Sequence, residues 1–147
     1  MRLFRDGFRT GWTMKSDFRY LLDTDIASYI IRRFPKPLSK AMQFREQFAI
    51  STVTRFELGR AKRFLKLESS GVLLASFLEE VPTLEFDSSA ADAASDIYSM
   101  LQAEGKSIGI PDSMIAGHAL SHSMVLVSNN QKHFGRISGL RTQNWMQ

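Results

Sequence analysis

Six polar residues of this 147-residue chain stand where chemistry could be done: Asp23, Thr24 and Asp25 in one run, then Glu57, Asp112 and Asn130. Asp23 follows Tyr20, Leu21 and Leu22, an apolar run that fits a strand buried on both faces. It would then stand at the strand's carboxyl end. In open parallel sheets that edge binds ligands, because loops and helix N-termini leave a crevice there. A carboxylate ending a buried strand must also find a partner for its charge. Asp25 precedes Ile26, Tyr29 and Ile30, which repeat at helical spacing, so Asp25 reads as the N-cap of that helix rather than as a ligand.

Glu57 closes Thr54-Arg55-Phe56-Glu57, a capping-box pattern in which Thr54 and Glu57 satisfy each other's backbone N–H groups. That structural role alone would explain both residues. Asp112 follows Gly109-Ile110-Pro111, where a cap or first-turn acid belongs. If the sheet is parallel, the ends of its first, second and fourth strands converge and bring Asp23, Glu57 and Asn130 together. Asp112 joins them if its helix begins at the same edge. Carboxylates at that density repel one another unless a cation neutralises them. Hard oxygen donors suit Mg²⁺ or Mn²⁺, and such an ion at a phosphodiester activates water and offsets charge at phosphorus.

The elements that must position these residues follow from pattern and punctuation. Ile26 to Arg33 reads as a helix ended by Pro35 and Pro37, and Leu38 to Gln47 as a second, the two forming a helical hairpin. Phe48 to Val53 is a short strand, and Thr54 opens a helix carrying Arg55, Arg60, Lys62, Arg63 and Lys66. That basic run is either a solvated face or a nucleic-acid contact. Gly71 to Glu80 is a helix and Pro82 to Phe86 a strand. Asp87 or Ser88 caps a long helix through Ala103 or Glu104, with Ala91, Ala94, Ile97, Tyr98 and Leu101 on its buried side and Gly105 past its end. Asp92 and Asp96 on this helix read as surface charges. Ser113 to Ser121 is a helix, Met124 to Ser128 a strand, Lys132 to Arg136 one helical turn, and Leu140 to Gln143 a last short strand before Trp145. The alternation indicates α/β with a mostly parallel sheet. His118 and His122, four apart, have a zinc-compatible spacing but lack a third ligand, so His118 reads as a packing residue and His133 as a loop residue near the sheet edge.

Composition sets the outer bounds. The length suits one domain, and the absence of cysteine removes disulfides, thiolate metal sites and cysteine nucleophiles, in keeping with a reducing cytoplasm. No apolar run approaches a bilayer span. Of the formal net charge of +4, residues Met1 to Arg19 hold +3, leaving a nearly neutral body. That segment, residues 1–19, reads as an extension from an upstream start, poorly ordered unless it docks. Leu3, Phe4, Phe8 and Trp12 could line one helical face within it.

Taken together, Leu22-Asp23-Thr24-Asp25, Thr54 to Leu58, Gly109-Ile110-Pro111-Asp112 with Met114 to Leu120, and Val127-Ser128-Asn129-Asn130 leading to His133-Phe134 resemble a PIN domain. The resemblance is strongest to the VapC-type ribonuclease toxins and spans Tyr20 to Trp145. It implies a single three-layer α/β domain over residues 20–147 with a mostly parallel central sheet flanked by helices. It also implies a Mg²⁺- or Mn²⁺-dependent endoribonuclease acting on structured RNA, commonly transfer RNA. A cognate VapB-like antitoxin and a homodimer, or a higher toxin–antitoxin assembly, would be its partners, with no membrane involved. Position by position, Asp23, Glu57 and Asp112 would be the catalytic, metal-organising acids, and Thr24 would support the site. Asn130 stands where the family often has a further Asp, and would be a weaker, uncharged metal donor. That departure keeps open a catalytically silent module that binds RNA or protein. A phosphatase built on Asp23-Thr24-Asp25 lacks its later aspartates and phosphate-binding lysine.

Overall fold

The computed structural model describes residues 18–61 and 68–147. The expectations for residues 1–17, and for Lys62, Arg63 and Lys66, lie outside the described residues.

Among the described residues, twelve elements follow one another: β1 (Tyr20–Leu22), α1 (Thr24–Ile31), α2 (Pro35–Gln43), β2 (Phe48–Ser51), α3 (Thr52–Ala61), α4 (Glu68–Glu80), β3 (Thr83–Leu84), α5 (Ser88–Ala103), α6 (Ile110–Ser121), β4 (Val125–Val127), α7 (Gln131–Phe134) and β5 (Thr142–Gln143). The five strands form one sheet in the order β3-β2-β1-β4-β5, every pair parallel.

The sheet forms because its central strands are short apolar runs that can be covered on both faces. Side chains alternate across a strand. Tyr20, Leu22, Phe48, Ile50, Val125 and Val127 therefore enter one core, packed by α1, α2 and α4, while Leu21, Ala49 and Leu126 enter the other, beneath α5 and α6. Three layers result. Trp145 is buried in the first core, its ring 5.5 Å from Tyr20, 5.8 Å from Phe44 and 5.7 Å from Phe48. The sheet reaches back slightly into the segment read as an extension: Phe18 is buried, the Arg19 N–H donates to Gln47 O, and the Arg19 carbonyl accepts from Val125 N.

Several boundaries differ from expectation. Pro35 and Pro37 open α2 instead of closing α1, since proline lacks only an N–H that a first turn leaves unpaired anyway. The chain turns between the two helices at Arg33, which has φ +62°. α5 buries Ala90 rather than Ala91, and Asp87 is its N-cap, accepting from Ala90 N at 2.9 Å. Gly105 adopts φ +68° past its end, the left-handed position that glycine takes without steric cost. α5 and α6 cross so closely at Gly117 that a Cβ there would lie 2.6 Å from Ala94 Cα. Among the described residues, no helix is long and apolar enough to cross a membrane.

Candidate active site

The chain builds β1, β2 and β3 outward in one direction, then returns to place β4 on the other side of β1. In open parallel sheets a ligand crevice lies at the carboxyl ends of the strands where the order reverses, which here is between β1 and β4. Asp23 follows the last residue of β1, and its N–H donates to Val127 O at 2.9 Å. Because Leu22 is in register with Val127, Asp23 is carried beside Ser128.

Asp23 is 6% exposed, and its carboxylate is held from two sides. Oδ1 accepts from the Ile26 N–H at 2.9 Å, and the Ser128 side chain provides a second hydrogen bond. Burial pushes its carboxyl up to about 7, with repulsion from Asp25 and Asp112 in the same direction, against the lowering effect of those hydrogen bonds. Asp23 is thus the N-cap of α1, and the assignment of that role to Asp25 is corrected. The helix begins at Thr24, directly after the strand, so the first orphan N–H groups face the strand-ending carboxylate. Asp25 lies exposed in the first turn, and its charge acts on both Asp23 and Asp112.

The Thr54–Glu57 capping box does not form. α3 begins at Thr52, and Ser51 Oγ accepts from Val53 N at 3.1 Å, so Thr54 already lies within the first turn. Glu57 is therefore turned toward β1: the Thr24 hydroxyl donates to Glu57 Oε1 at 2.6 Å and lies 3.2 Å from the Thr54 hydroxyl.

Asp112 arrives from the other core, in the first turn of α6, whose N-terminus opens at the same edge. Burial raises its carboxyl above the ordinary range, Glu57 and Asp25 raise it further, and His133 lowers it. Asp112 is therefore within electrostatic reach of Asp23 on one side and of Glu57 on the other. Asn130 follows β4. Its N–H donates to Ser128 Oγ at 2.9 Å and its side-chain amide donates to His133 Nδ1 at 2.8 Å. Among the described residues, no group of three or more His, Cys, Asp or Glu is arranged to hold a metal ion. The acids are coupled through their charges without being closed into a cage.

The histidine pair on α6 is used structurally. His118 is fully buried with Nδ1 2.8 Å from Ser51 Oγ, and His122 Nε2 lies 3.1 Å from Asp87 Oδ2, joining the end of α6 to the cap of α5. Asn129 accepts from Asn144 at 3.0 Å, in keeping with a turn residue.

Residues 20–140 match the PIN domain family. The chain belongs to that family. The tRNA(fMet)-specific endonuclease VapC of Shigella flexneri is 32% identical over 129 residues, which cover 86% of this chain and 98% of the relative. Ribonuclease VapC2 of Haemophilus influenzae is 35% identical over 130 residues, covering 87% and 98%. Among solved structures, DNA-bound VapBC from Salmonella typhimurium superposes with a TM-score of 0.80 at 29% identity, covering 87% of this chain and 98% of that one. VapBC2 from Rickettsia felis bound to a promoter DNA fragment superposes at 0.78 with 27% identity, covering 87% and 99%. This PIN domain is thus a homologue of VapC ribonuclease toxins along nearly their whole length.

Ser128 had no assigned role in the sequence reading, although register alone places a hydroxyl ending β4 beside an acid ending β1. Asp25 was assigned to the cap, and its action on Asp23 and Asp112 was missed. His133, expected in a loop near the sheet edge, lies in α7 and its charge acts on Asp112.

Proposed function

We propose that this chain is a VapC-type endoribonuclease that hydrolyses phosphodiester bonds of structured RNA, transfer RNA foremost, with Mg²⁺ or Mn²⁺. The observation that carries the proposal is the meeting of Asp23, Glu57 and Asp112, from three separate elements, at the switch point of a parallel sheet. Burial and mutual repulsion hold the Asp23 and Asp112 carboxyls above their ordinary range, so a cation there relieves a cost already built into the fold. The donor set fits such an ion. Mg²⁺ keeps several waters and needs only one or two carboxylates besides substrate phosphates, so an open arrangement of acids is adequate.

When bound, the ion lowers the pKa of a coordinated water and offsets charge developing at phosphorus. The side chains do the rest. Asp23, fixed by Ser128 and the Ile26 N–H, and Asp112, at the start of α6, present oxygens across the crevice. Glu57, oriented by the Thr24 hydroxyl, would help hold the ion or orient the attacking water. Asn130, with its amide turned to His133, keeps its carbonyl oxygen as a weaker, uncharged donor.

The relatives supply the biological setting of the proposal. One is named for cutting tRNA(fMet), and the structural matches are VapBC complexes. A VapB-like antitoxin covering the crevice is the corresponding restraint here. A homodimer, or a larger assembly with the antitoxin, has apolar surface available at Phe34, 36% exposed, and Met42, 55% exposed. A reducing cytoplasm suits a chain without cysteine.

Purified chain free of antitoxin, incubated with total tRNA, is expected to cut internally with Mg²⁺ or Mn²⁺ and to stop in EDTA. Cutting that continues in EDTA contradicts metal dependence, and no cutting with any divalent ion favours a silent binding module. Thr24→Val removes the donor that orients Glu57, a charge-assisted bond of about 1.5–3 kcal/mol. It is expected to slow cleavage roughly tenfold or more, with Thr24→Ser near the wild-type rate. Equal rates for valine and serine would show that Glu57 needs no such orientation.

A further inference from the structure

Beside the carboxylates lies a hollow of about 410 Å³ whose lining includes Thr52, Phe56, Glu57, Phe86, Pro111 and Met114. Glu57 belongs to both the crevice and this hollow, and Pro111 immediately precedes Asp112. Phe56 is 69% exposed, an aromatic face with little cover from its own chain one residue from a site acid. The volume falls within the range of small-molecule pockets, and the lining is mostly apolar with a few polar groups, as such pockets usually are.

We infer that this hollow receives an unpaired nucleobase of the RNA, from a nucleotide adjoining the scissile phosphate, with Phe56 as its stacking surface. The inference rests on the nuclease reading above and adds a specificity-determining residue to it. Continuity decides the occupant. A phosphate held at Asp23 and Asp112 has its neighbouring base within one nucleotide's reach, and the space rimmed by Glu57 and Pro111 opens there. Single-stranded bases are bound by splaying them onto aromatic faces, with polar groups reading their edges. Phe56 and Phe86 supply rings, and Thr52 and Glu57 bring polar atoms to the same hollow. The exposed Arg55 and Arg60 on α3 give the surface around Phe56 the cationic character that a phosphate backbone favours.

The test uses a tRNA transcript cut by the wild type with Mn²⁺ to map the scissile phosphate, and matching transcripts lacking the base on its 5′ or its 3′ side. Removing one of the two bases is expected to slow the wild type about tenfold or more. Phe56→Ala is expected to show the same loss on intact RNA and no further loss on that abasic transcript. Phe56→Trp should keep the wild-type rate on intact RNA. Phe56 packs at the surface, so the alanine variant should unfold at the wild-type temperature. If neither abasic transcript is slowed, or Phe56→Ala cuts intact RNA at full rate, the base pocket is overturned. An accompanying loss of antitoxin binding would then assign the hollow to the protein partner. A wild type that cuts nothing overturns the nuclease reading, and the pocket with it.

Discussion

Asp23→Asn is expected to abolish RNA cleavage and, in the same protein, to raise the unfolding temperature of the metal-free form above neutral pH. The two effects share a cause. Asparagine is as good an N-cap as aspartate, so the bond from the Ile26 N–H survives, and only the charge is lost. In the wild type that charge is costly. Burial raises the Asp23 carboxyl from an unfolded value near 3.8 to about 7, so between these values the folded state binds the extra proton. Stability therefore falls as pH rises through that window, and the full cost is carried above it. A shift of this size corresponds to about 4 kcal/mol. Thermal unfolding in EDTA should show the variant well ahead at pH 8, with the gap shrinking steadily toward pH 4. Added Mn²⁺ should stabilise the wild type and leave the variant nearly unchanged, because only a ligand that binds the folded form shifts the equilibrium. A variant less stable than the wild type at pH 8 would mean that the buried charge is already compensated within the fold.

The second large effect is expected at Gly117, outside the acid cluster but on the helix that carries Asp112. A Cβ at this position would fall on the backbone of Ala94, 2.6 Å from its Cα, and backbone cannot swing aside as a side-chain tip can. Gly117→Ala should destabilise by about 1–3 kcal/mol despite alanine's better helix propensity, and Gly117→Val should leave little soluble protein. The consequence reaches the site because α6 is held on α5 by this approach and begins with Asp112 in its first turn. Forcing the helices apart moves Asp112 relative to Asp23, so the surviving alanine variant should also lose cleavage activity beyond what its unfolded fraction explains. Activity in proportion to the folded fraction would separate the packing of α5 on α6 from the placement of Asp112.

Much of this was legible in the sequence because the chain's signals are local where the fold is simple. Tyr20 to Leu22 and Val125 to Val127 are apolar triplets ended by polar residues, and both are central strands buried on each face. The position of Asp23 at a strand end follows from that pattern alone, and Glu57 follows once the sheet is parallel, whereas Asp112 needed the further condition that its helix begin at the same edge, as α6 does. Helix starts were less legible. Thr52 begins its helix directly after a strand and Thr24 after the single residue Asp23, and a pattern reader places caps where a loop should be. That error moved the cap from Asp23 to Asp25, and turned Glu57 into a partner of its own helix instead of Thr24. β3 and β5 lie where strands were expected, but they are two residues each and shorter than Pro82 to Phe86 and Leu140 to Gln143, because only the residues that pair with a neighbour become strand. The roles of Ser128 and His133 depend on contacts between β1, β4 and α7, so they became visible only with register in hand.

The most direct measurement is anomalous scattering from a crystal of the antitoxin-free chain grown with Mn²⁺. The account predicts a peak at the site within coordination distance of Asp23 and Asp112, with Glu57 reaching the ion directly or through a water. A peak elsewhere, or an empty crevice in a preparation that cuts tRNA under the same conditions, would contradict it.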